Sequence, residues 1–282
     1  MSKDEQRIRT AEHWARKIRL DIIDMCCRVG PERKAHPGGA LSAADIVAAL
    51  YFDKMRIDPD TPQWPDRDRF ILSKGHTCPV LYAALANRGY FSKDLYGTLR
   101  RVDGNLQGHP DMRKTPGVDM TTGSLGHGLA AGAGIAMSAK IDRKDFRVFV
   151  LLGDGELQEG LVWESAMASP RLGLTNLTVI IDINRLQSGG SVEQILPLHP
   201  LREKWASFGW NTIEINGHHM EEILAALDLA VLEQERPTAI LARTVKGKGV
   251  KFMEDDNSWH QRTLNEEEYC LAVKMLESGG SV

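Results

Sequence analysis

One carboxylate and one amide, Asp154 and Asn184, stand thirty positions apart in this 282-residue chain, each just past an apolar run. Asp154 lies in Gly153-Asp154-Gly155 after Val148 to Leu152, and Asn184 follows the run Leu177 to Ile181. Runs of that length, rich in branched residues, predict buried strands of a parallel sheet. Residues Glu156 to Leu172 have the length of a crossover helix between them. Both side chains would then emerge at the carboxyl ends of parallel strands, where open α/β sheets bind ligands. One carboxylate and one amide oxygen make a small, hard, incomplete ligand set. It suits Mg²⁺ or Ca²⁺, completed by water and phosphate oxygens. Gly153 and Gly155 lack a Cβ, which lets backbone amides approach a phosphate, with a helix N-terminus aimed at it.

Histidines supply a second kind of chemistry. Five of the nine lie in glycine-containing or irregular segments: His36 before Pro37-Gly38-Gly39, His76 after Ser73-Lys74-Gly75, His109 in Gly108-His109-Pro110, His127 between Gly126 and Gly128, and His260 after Trp259. Singly, each reads as an ordinary loop histidine. None of the spacings makes a zinc pattern. Together they suit proton movement on sugar hydroxyls and carbonyls near neutral pH.

The elements that must hold these residues alternate. Ile8, Ala11, Ala15, Ile18, Ile22, Met25 and Val29 recur at helical spacing and predict an amphipathic first helix ending at Gly30. Ser42 with Asp45 reads as an N-cap opening a helix to about Phe52. A short strand at 69–72, a helix at 80–87 and a long Gly/Asp/Pro-rich excursion at 91–122 follow. A Gly/Ala-rich helix at 126–139 precedes the Asp154 unit. Helices at 201–208, 221–233 and 266–277 and strands at 211–215 and 238–242 complete the chain, with Gly279-Gly280-Ser281 as a frayed end. The alternation predicts an α/β fold, a doubly wound, mostly parallel sheet with helices on both faces.

Composition excludes several classes. A net charge of −3 without a basic stripe argues against nucleic acid and anionic membrane. The charged start is no signal peptide, and no apolar run reaches spanning length. Cys26, Cys27, Cys78 and Cys270 form neither a zinc nor a disulfide framework, and they read as core cysteines of a cytoplasmic protein.

The joint order of these motifs resembles the transketolase family. His-Pro-Gly-Gly, Ser-Lys-Gly-His, Gly-His-Pro, the loop Gly123-Ser124-Leu125-Gly126-His127-Gly128, Gly-Asp-Gly-Glu-Leu-Gln-Glu-Gly and Val245-Lys246-Gly247-Lys248-Gly249 run from about residue 30 to 260. The resemblance is to that family's N-terminal, diphosphate-binding half, and it implies a thiamine diphosphate-binding fold over 1–282. It implies thiamine diphosphate as cofactor, with Mg²⁺, or Ca²⁺ or Mn²⁺, held by Asp154, Asn184 and the Leu186 carbonyl. Gly123, Ser124, Leu125, Gly153, Asp154, Gly155, Glu156 and Asn184 would contact the cofactor, together with His76 and His260. His36, His76, His109 and His260 resemble the family's catalytic histidines. Among them, His109 resembles the one near the donor C1 hydroxyl and carbonyl. His36 and His260 resemble the pair implicated in proton transfer and acceptor binding, and His76 one beside the diphosphate and substrate.

Other positions stay open. Glu159 is either a solvated helix charge or, as the resemblance implies, an interface carboxylate facing its symmetry mate. Lys246 and Lys248 either touch phosphate or form an exposed loop. Ser124 and His127 stand where the family often has Pro and Gln, which leaves their roles undecided. Trp163 and Trp259 read as packing.

After His260 about one helix remains, too little for a second sheet domain. In the family that domain binds the aminopyrimidine and most of the substrate phosphate. The resemblance therefore implies a split enzyme transferring a two-carbon ketol unit between sugars or sugar phosphates. A C-terminal subunit would complete it, as an α2β2 heterotetramer. Rival readings are a 1-deoxyxylulose-phosphate synthase-like or 2-oxoacid dehydrogenase-like subunit, and a noncatalytic structural or regulatory partner.

Overall fold

In a computed structural model, residues 2–278 are described, so the expected frayed end at Gly279-Gly280-Ser281 lies outside the described residues. Helix α1 (Lys3–Arg28) opens on a capping box in which Ser2 and Glu5 satisfy each other's backbone amides. Its apolar stripe, including Ile18, Ile22 and Met25, is fully buried. Two short helices follow, α2 (Pro37–Ser42) and α3 (Ala44–Ala49), broken at Ala43 and continued by a π-turn at Leu50–Lys54. Ser42 is thus not the N-cap that its spacing suggests. It ends α2, and its hydroxyl donates to the Gly39 carbonyl and to Asp182, a tertiary partner that the local pattern does not reveal.

Strand β1 (Arg69–Leu72) leads into α4 (Cys78–Arg88), which stops at Gly89 in the left-handed region (φ 95°). The excursion at 91–122 holds one 3₁₀ segment, Lys93–Thr98, among turns. Helix α5 (His127–Ile141) precedes β2 (Val148–Gly153). The expected crossover helix is split: a 3₁₀ turn at Gly155–Gln158 comes first, and α6 (Gly160–Arg171) starts after Glu159. Then come β3 (Leu177–Ile183), a small hairpin of β4 (Leu186–Gln187) and β5 (Gly190–Ser191), α7 (Val192–Ile195) and α8 (Leu201–Ser207). The chain continues through β6 (Asn211–Asn216), α9 (Met220–Leu232), β7 (Thr238–Arg243) and α10 (Glu266–Glu277).

Five of the strands form one wholly parallel sheet in the order β1-β2-β3-β7-β6. Alternation along the strands divides the core into two. Phe149 and Leu151 of β2 face a cluster with α1, α3, α4 and α9, whereas Val148, Val150 and Leu152 face one with α5, α6 and α8. Each such apolar side chain contributes about 1.5–3 kcal/mol when fully buried. Covering both faces explains why the strands read as unbroken apolar runs. It also brings the ends of β1, β2, β3 and β7 to one rim of the sheet. Among the described residues no helix is long and apolar enough to cross a membrane. The cysteines are not all core residues: Cys26 and Cys78 are buried, Cys27 is half-buried and Cys270 is exposed.

Candidate active site

The rim is built on an ion pair that lies wholly inside the protein. Lys74, just past β1, donates to the Asp182 carboxylate of β3 and to the Gly39 carbonyl. Asp182 is 0 % exposed and also accepts from Ser42 and Thr244. Burial pushes its pKa up, but the Lys74 ammonium and these hydroxyl donors overcome that and hold it below the usual carboxylate range. The pair fixes the Asn184 amide. Its Nδ2 lies 3.4 Å from both the Ser42 hydroxyl and Asp182, so its Oδ1 is the atom turned the other way, toward the Leu186 amide at 3.1 Å.

Asp154 emerges from β2 beside it. Its carboxylate accepts from the Gly155 amide at 2.8 Å and the Arg185 amide at 2.6 Å, and no cationic side chain among the described residues pairs with it. Burial first, and the Asp182 charge second, push its pKa up to about 6. Asp154, Asn184 and Leu186 line one cavity of about 560 Å³. No cluster of three or more His, Cys, Asp or Glu side chains able to hold a metal occurs among the described residues. The oxygen set here is instead one carboxylate, one amide and one carbonyl. Its fit to a hard cation has a direct sign: the Lys246 ammonium already sits on the Leu186 carbonyl at 3.1 Å. A buried carboxylate without a counter-cation and a carbonyl that attracts one are what a Mg²⁺-sized ion would satisfy. Gly155 has a different reason from the one its sequence suggests. A Cβ there would lie 2.9 Å from Gln187 Cβ, so the glycine admits the β4 side chain.

Three histidine loops converge above this floor. His36 precedes α2, His76 sits in a 3₁₀ turn at Gly75–Thr77, and His260 ends another at Asn257–His260. An isolated antiparallel bridge between Ala35 and Arg262 draws the first and last together. Close approaches need the glycines: a Cβ on Gly38 would meet the Trp259 carbonyl at 2.9 Å, and one on Gly39 would meet Thr77 Cγ2 at 2.8 Å. The ring centroids of His36, His76 and His260 are 5.1, 5.5 and 5.3 Å apart pairwise. Burial and neighbouring cations keep all three neutral, His36 at about 3 and His260 at about 4, with His76 also well below the ordinary value. The Lys246 ammonium lies 2.9 Å from His260 Nδ1 and can only donate there, which leaves the His260 proton on Nε2. His36 Nδ1 and Thr122 Oγ1 are buried without any partner, as groups awaiting a ligand would be.

His109 stands outside this trio. Its ring packs on Gly123, where a Cβ would lie 3.2 Å from His109 Cγ, and burial lowers its pKa as well. Ser124 is exposed and Leu125 half-buried at the mouth of the loop. His127 is exposed, with its ring Nδ1 3.3 Å from the Leu125 carbonyl. Glu156 is engaged within the protein: its carboxylate accepts from Ser73, from the Gly126 amide at 2.9 Å and from the Gly153 amide at 3.0 Å, bracing the loops against one another. Lys248 turns toward Glu254 at 3.5 Å, away from Lys246. Trp163 and Trp259 pack, the first with its Nε1 on the Leu157 carbonyl and the second beneath Arg262.

With this geometry, residues 10–277 match the family described as the transketolase, thiamine diphosphate binding domain. The chain belongs to the transketolase family. It is 43 % identical over 277 residues to a 6-deoxy-6-sulfo-D-fructose transketolase subunit of a Clostridium species, covering 98 % of this chain and 99 % of that one. It is 40 % identical to one of the apulose-4-phosphate transketolase subunits of Phocaeicola vulgatus, covering 95 % and 94 %. Human transketolase is 38 % identical over 262 residues, with 93 % of this chain but 41 % of the human one covered. Transketolase from Leishmania mexicana superposes with a TM-score of 0.89 at 29 % identity, over 95 % of this chain and 41 % of that one. The chain therefore spans nearly the full length of two transketolase subunits and about two-fifths of the longer transketolases.

Sequence reasoning missed three members of this transketolase rim. Lys74 lies inside a motif that draws attention to its histidine, and Asp182, just past the run Leu177 to Ile181, belongs to no motif. Arg100 lines the crevice beside His36 and His76 from within the long excursion, with no local signal to mark it. Lys246, left open between phosphate contact and exposed loop, is 1 % exposed and lies in the site.

Proposed function

We propose that this chain is the diphosphate-binding, N-terminal subunit of a two-polypeptide transketolase. It consists of one domain over 1–282 and moves a two-carbon ketol unit from a ketose to an aldose. The observation that carries the reading is the meeting of three neutral histidines with a carboxylate, an amide and a carbonyl oxygen at one rim of the sheet. When bound, thiamine diphosphate supplies the carbanion chemistry that cleaves the bond beside a ketose carbonyl. Asp154, Asn184 and the Leu186 carbonyl would hold Mg²⁺ on its diphosphate, with Ca²⁺ or Mn²⁺ as substitutes. His76, His260, Gly153, Gly155 and the Gly123-Ser124-Leu125 loop border the place where that diphosphate would lie, and Glu156 holds the loop in shape.

The histidines handle protons. His36, neutral and with Nδ1 unpartnered, accepts the proton of a sugar hydroxyl, and His260 offers its Nε2 proton to a carbonyl oxygen. His109, outside the trio, hydrogen-bonds the donor's C1 hydroxyl and carbonyl oxygens. Glu159, exposed at the start of α6, meets its counterpart across a subunit interface. The partner is a C-terminal subunit carrying the pyrimidine-binding half, in an α2β2 assembly in the cytoplasm. Its substrate is a ketose with an anionic terminus, since two relatives of its own length are named for a sulfonated ketose and a sugar phosphate.

The deciding experiment mixes the purified chain with its partner subunit, thiamine diphosphate and Mg²⁺ and measures ketol transfer. Transfer should need both polypeptides. Full turnover by this chain alone would sink the two-polypeptide reading.

A further inference from the structure

Resting on that reading of the site, we propose that His218 is a positioning residue: wedged between Asp45 and the Val245 amide, it locks the loop that carries Lys246 into the cofactor site. His218 and His219 are adjacent in sequence but do different things. His219 is more than half exposed and pairs with Glu222 within its own turn. The neighbouring His218 turns inward, with Nδ1 2.8 Å from Asp45 Oδ2. On its other side the Val245 amide donates to Nε2 at 2.8 Å.

An amide can only donate, so His218 Nε2 carries the lone pair and the ring proton sits on Nδ1, facing the Asp45 carboxylate. Asp45 is itself gripped by Arg19, whose Nη1 and Nη2 lie at 2.8 and 2.5 Å from its two oxygens. The same guanidinium donates through Nε to the Lys248 carbonyl at 3.0 Å. One buried Arg19–Asp45–His218 unit therefore holds both ends of the segment Val245–Lys248, from α1, α3 and the turn after β6.

The segment between those ends has no slack. The Gly247 amide donates to the Gly38 carbonyl at 2.9 Å, and the Asp255 amide donates to the Lys246 carbonyl at 3.0 Å. Gly247 sits at φ +79°, where a Cβ would lie 2.2 Å from the Met253 carbonyl oxygen. Pinned in this way, Lys246 projects its ammonium onto the Leu186 carbonyl, Asn257 Oδ1 and His260 Nδ1 at 3.1, 3.2 and 2.9 Å. His218 touches none of these three groups. Its effect on them travels through Val245.

The two ring nitrogens can be tested separately. An asparagine places its amide where Nδ1 was and reaches Asp45 only, whereas a glutamine can bring its amide oxygen to the place of Nε2 and accept from Val245. The readout is the dissociation constant for thiamine diphosphate with Mg²⁺, measured by titration of the full chain with its partner subunit. For His218→Asn it should rise about tenfold, the lower end of what losing an outer-shell support costs. His218→Gln should stay within about twofold of wild type, as expected when the Val245 hydrogen bond is kept. Equal affinities in the two variants, or losses that simply follow their melting temperatures, would overturn the proposal. A wild-type complex that binds no thiamine diphosphate would overturn the functional reading instead, and this role with it. Amide hydrogen exchange in the wild-type chain needs no variant. The Val245 amide should be strongly protected, and exchange there at the rate of an open loop would overturn the lock.

Discussion

The Lys246 ammonium donates to the Leu186 backbone carbonyl at 3.1 Å, across 60 residues of sequence. That contact joins the turn after β7 to strand β4. It places a side-chain cation where a divalent ion would share the same oxygen. The Lys246 pKa is lowered to about 8, by burial first and by Lys74 next, so at neutral pH the group is still a cation. The Asp154 and Asp182 carboxylates act in the other direction and favour that charge.

Removing that charge should weaken anion binding without unfolding the chain. Hydrogen bonds to charged groups are worth about 1.5–3 kcal/mol, so Lys246→Met should raise the dissociation constant for thiamine diphosphate by roughly 10- to 100-fold. Isothermal titration of the assembled complex checks this. An unchanged constant would remove Lys246 from the cofactor site.

Asp154→Asn and Asn184→Ala should each abolish the dependence of cofactor binding on divalent metal. Outer-shell changes alone cost about 10- to 100-fold in metal affinity, so loss of a direct ligand should cost at least about 100-fold. A Mg²⁺ titration in the presence of thiamine diphosphate reads the effect. Affinity that stays metal-dependent in both variants would refute the ligand assignment.

Lys74→Met should be among the most destabilising substitutions in the protein. It leaves the Asp182 charge buried with only hydroxyl and amide donors, and breaking such a pair costs about 3–5 kcal/mol. Urea midpoints give the size. Adding Asp182→Asn to Lys74→Met should restore part of the loss, because the stranded charge is gone.

Acid should destabilise the chain partly through His36. Its folded pKa of about 3 lies below the unfolded value, so the unfolded chain takes up the proton first as pH falls through about 6.5. Stability is then lost progressively down to about pH 3. By pH 5 the loss from this one group reaches up to about 2 kcal/mol. His36→Gln should show a shallower fall in urea midpoint between pH 7.5 and 5 than wild type. Parallel slopes would show that folding leaves the His36 pKa unshifted.

Much of this was legible in one dimension. The strands at 69–72, 148–153 and 177–183 declare themselves because both faces of a parallel sheet are covered, which turns each strand into an unbroken apolar run. The helix expected at 266–277 has those bounds in the structure, where Asn265 caps it. The Ser42 cap failed for the opposite reason. Its hydroxyl is engaged by Asp182, 140 residues away, and local capping rules see only a few residues. The break before α6 was hidden likewise, because Glu156 is pulled into bonds with Ser73, Gly126 and Gly153.

The amino-acid sequence by itself determined the α/β alternation, placed Asp154 and Asn184 at strand ends and marked the histidine loops by their glycines. It did so because periodicity and local sterics act over a few residues. The tertiary structure alone decided that His36, His76 and His260 form a trio while His109 stays outside it. It alone decided that Asp182 and Lys74 lie beneath them and that Lys246 points inward with His218 behind it. Those choices depend on hydrogen bonds and charges meeting across well over a hundred positions, such as the 173 between His218 and Asp45, and only the closed sheet brings such groups within 3 Å.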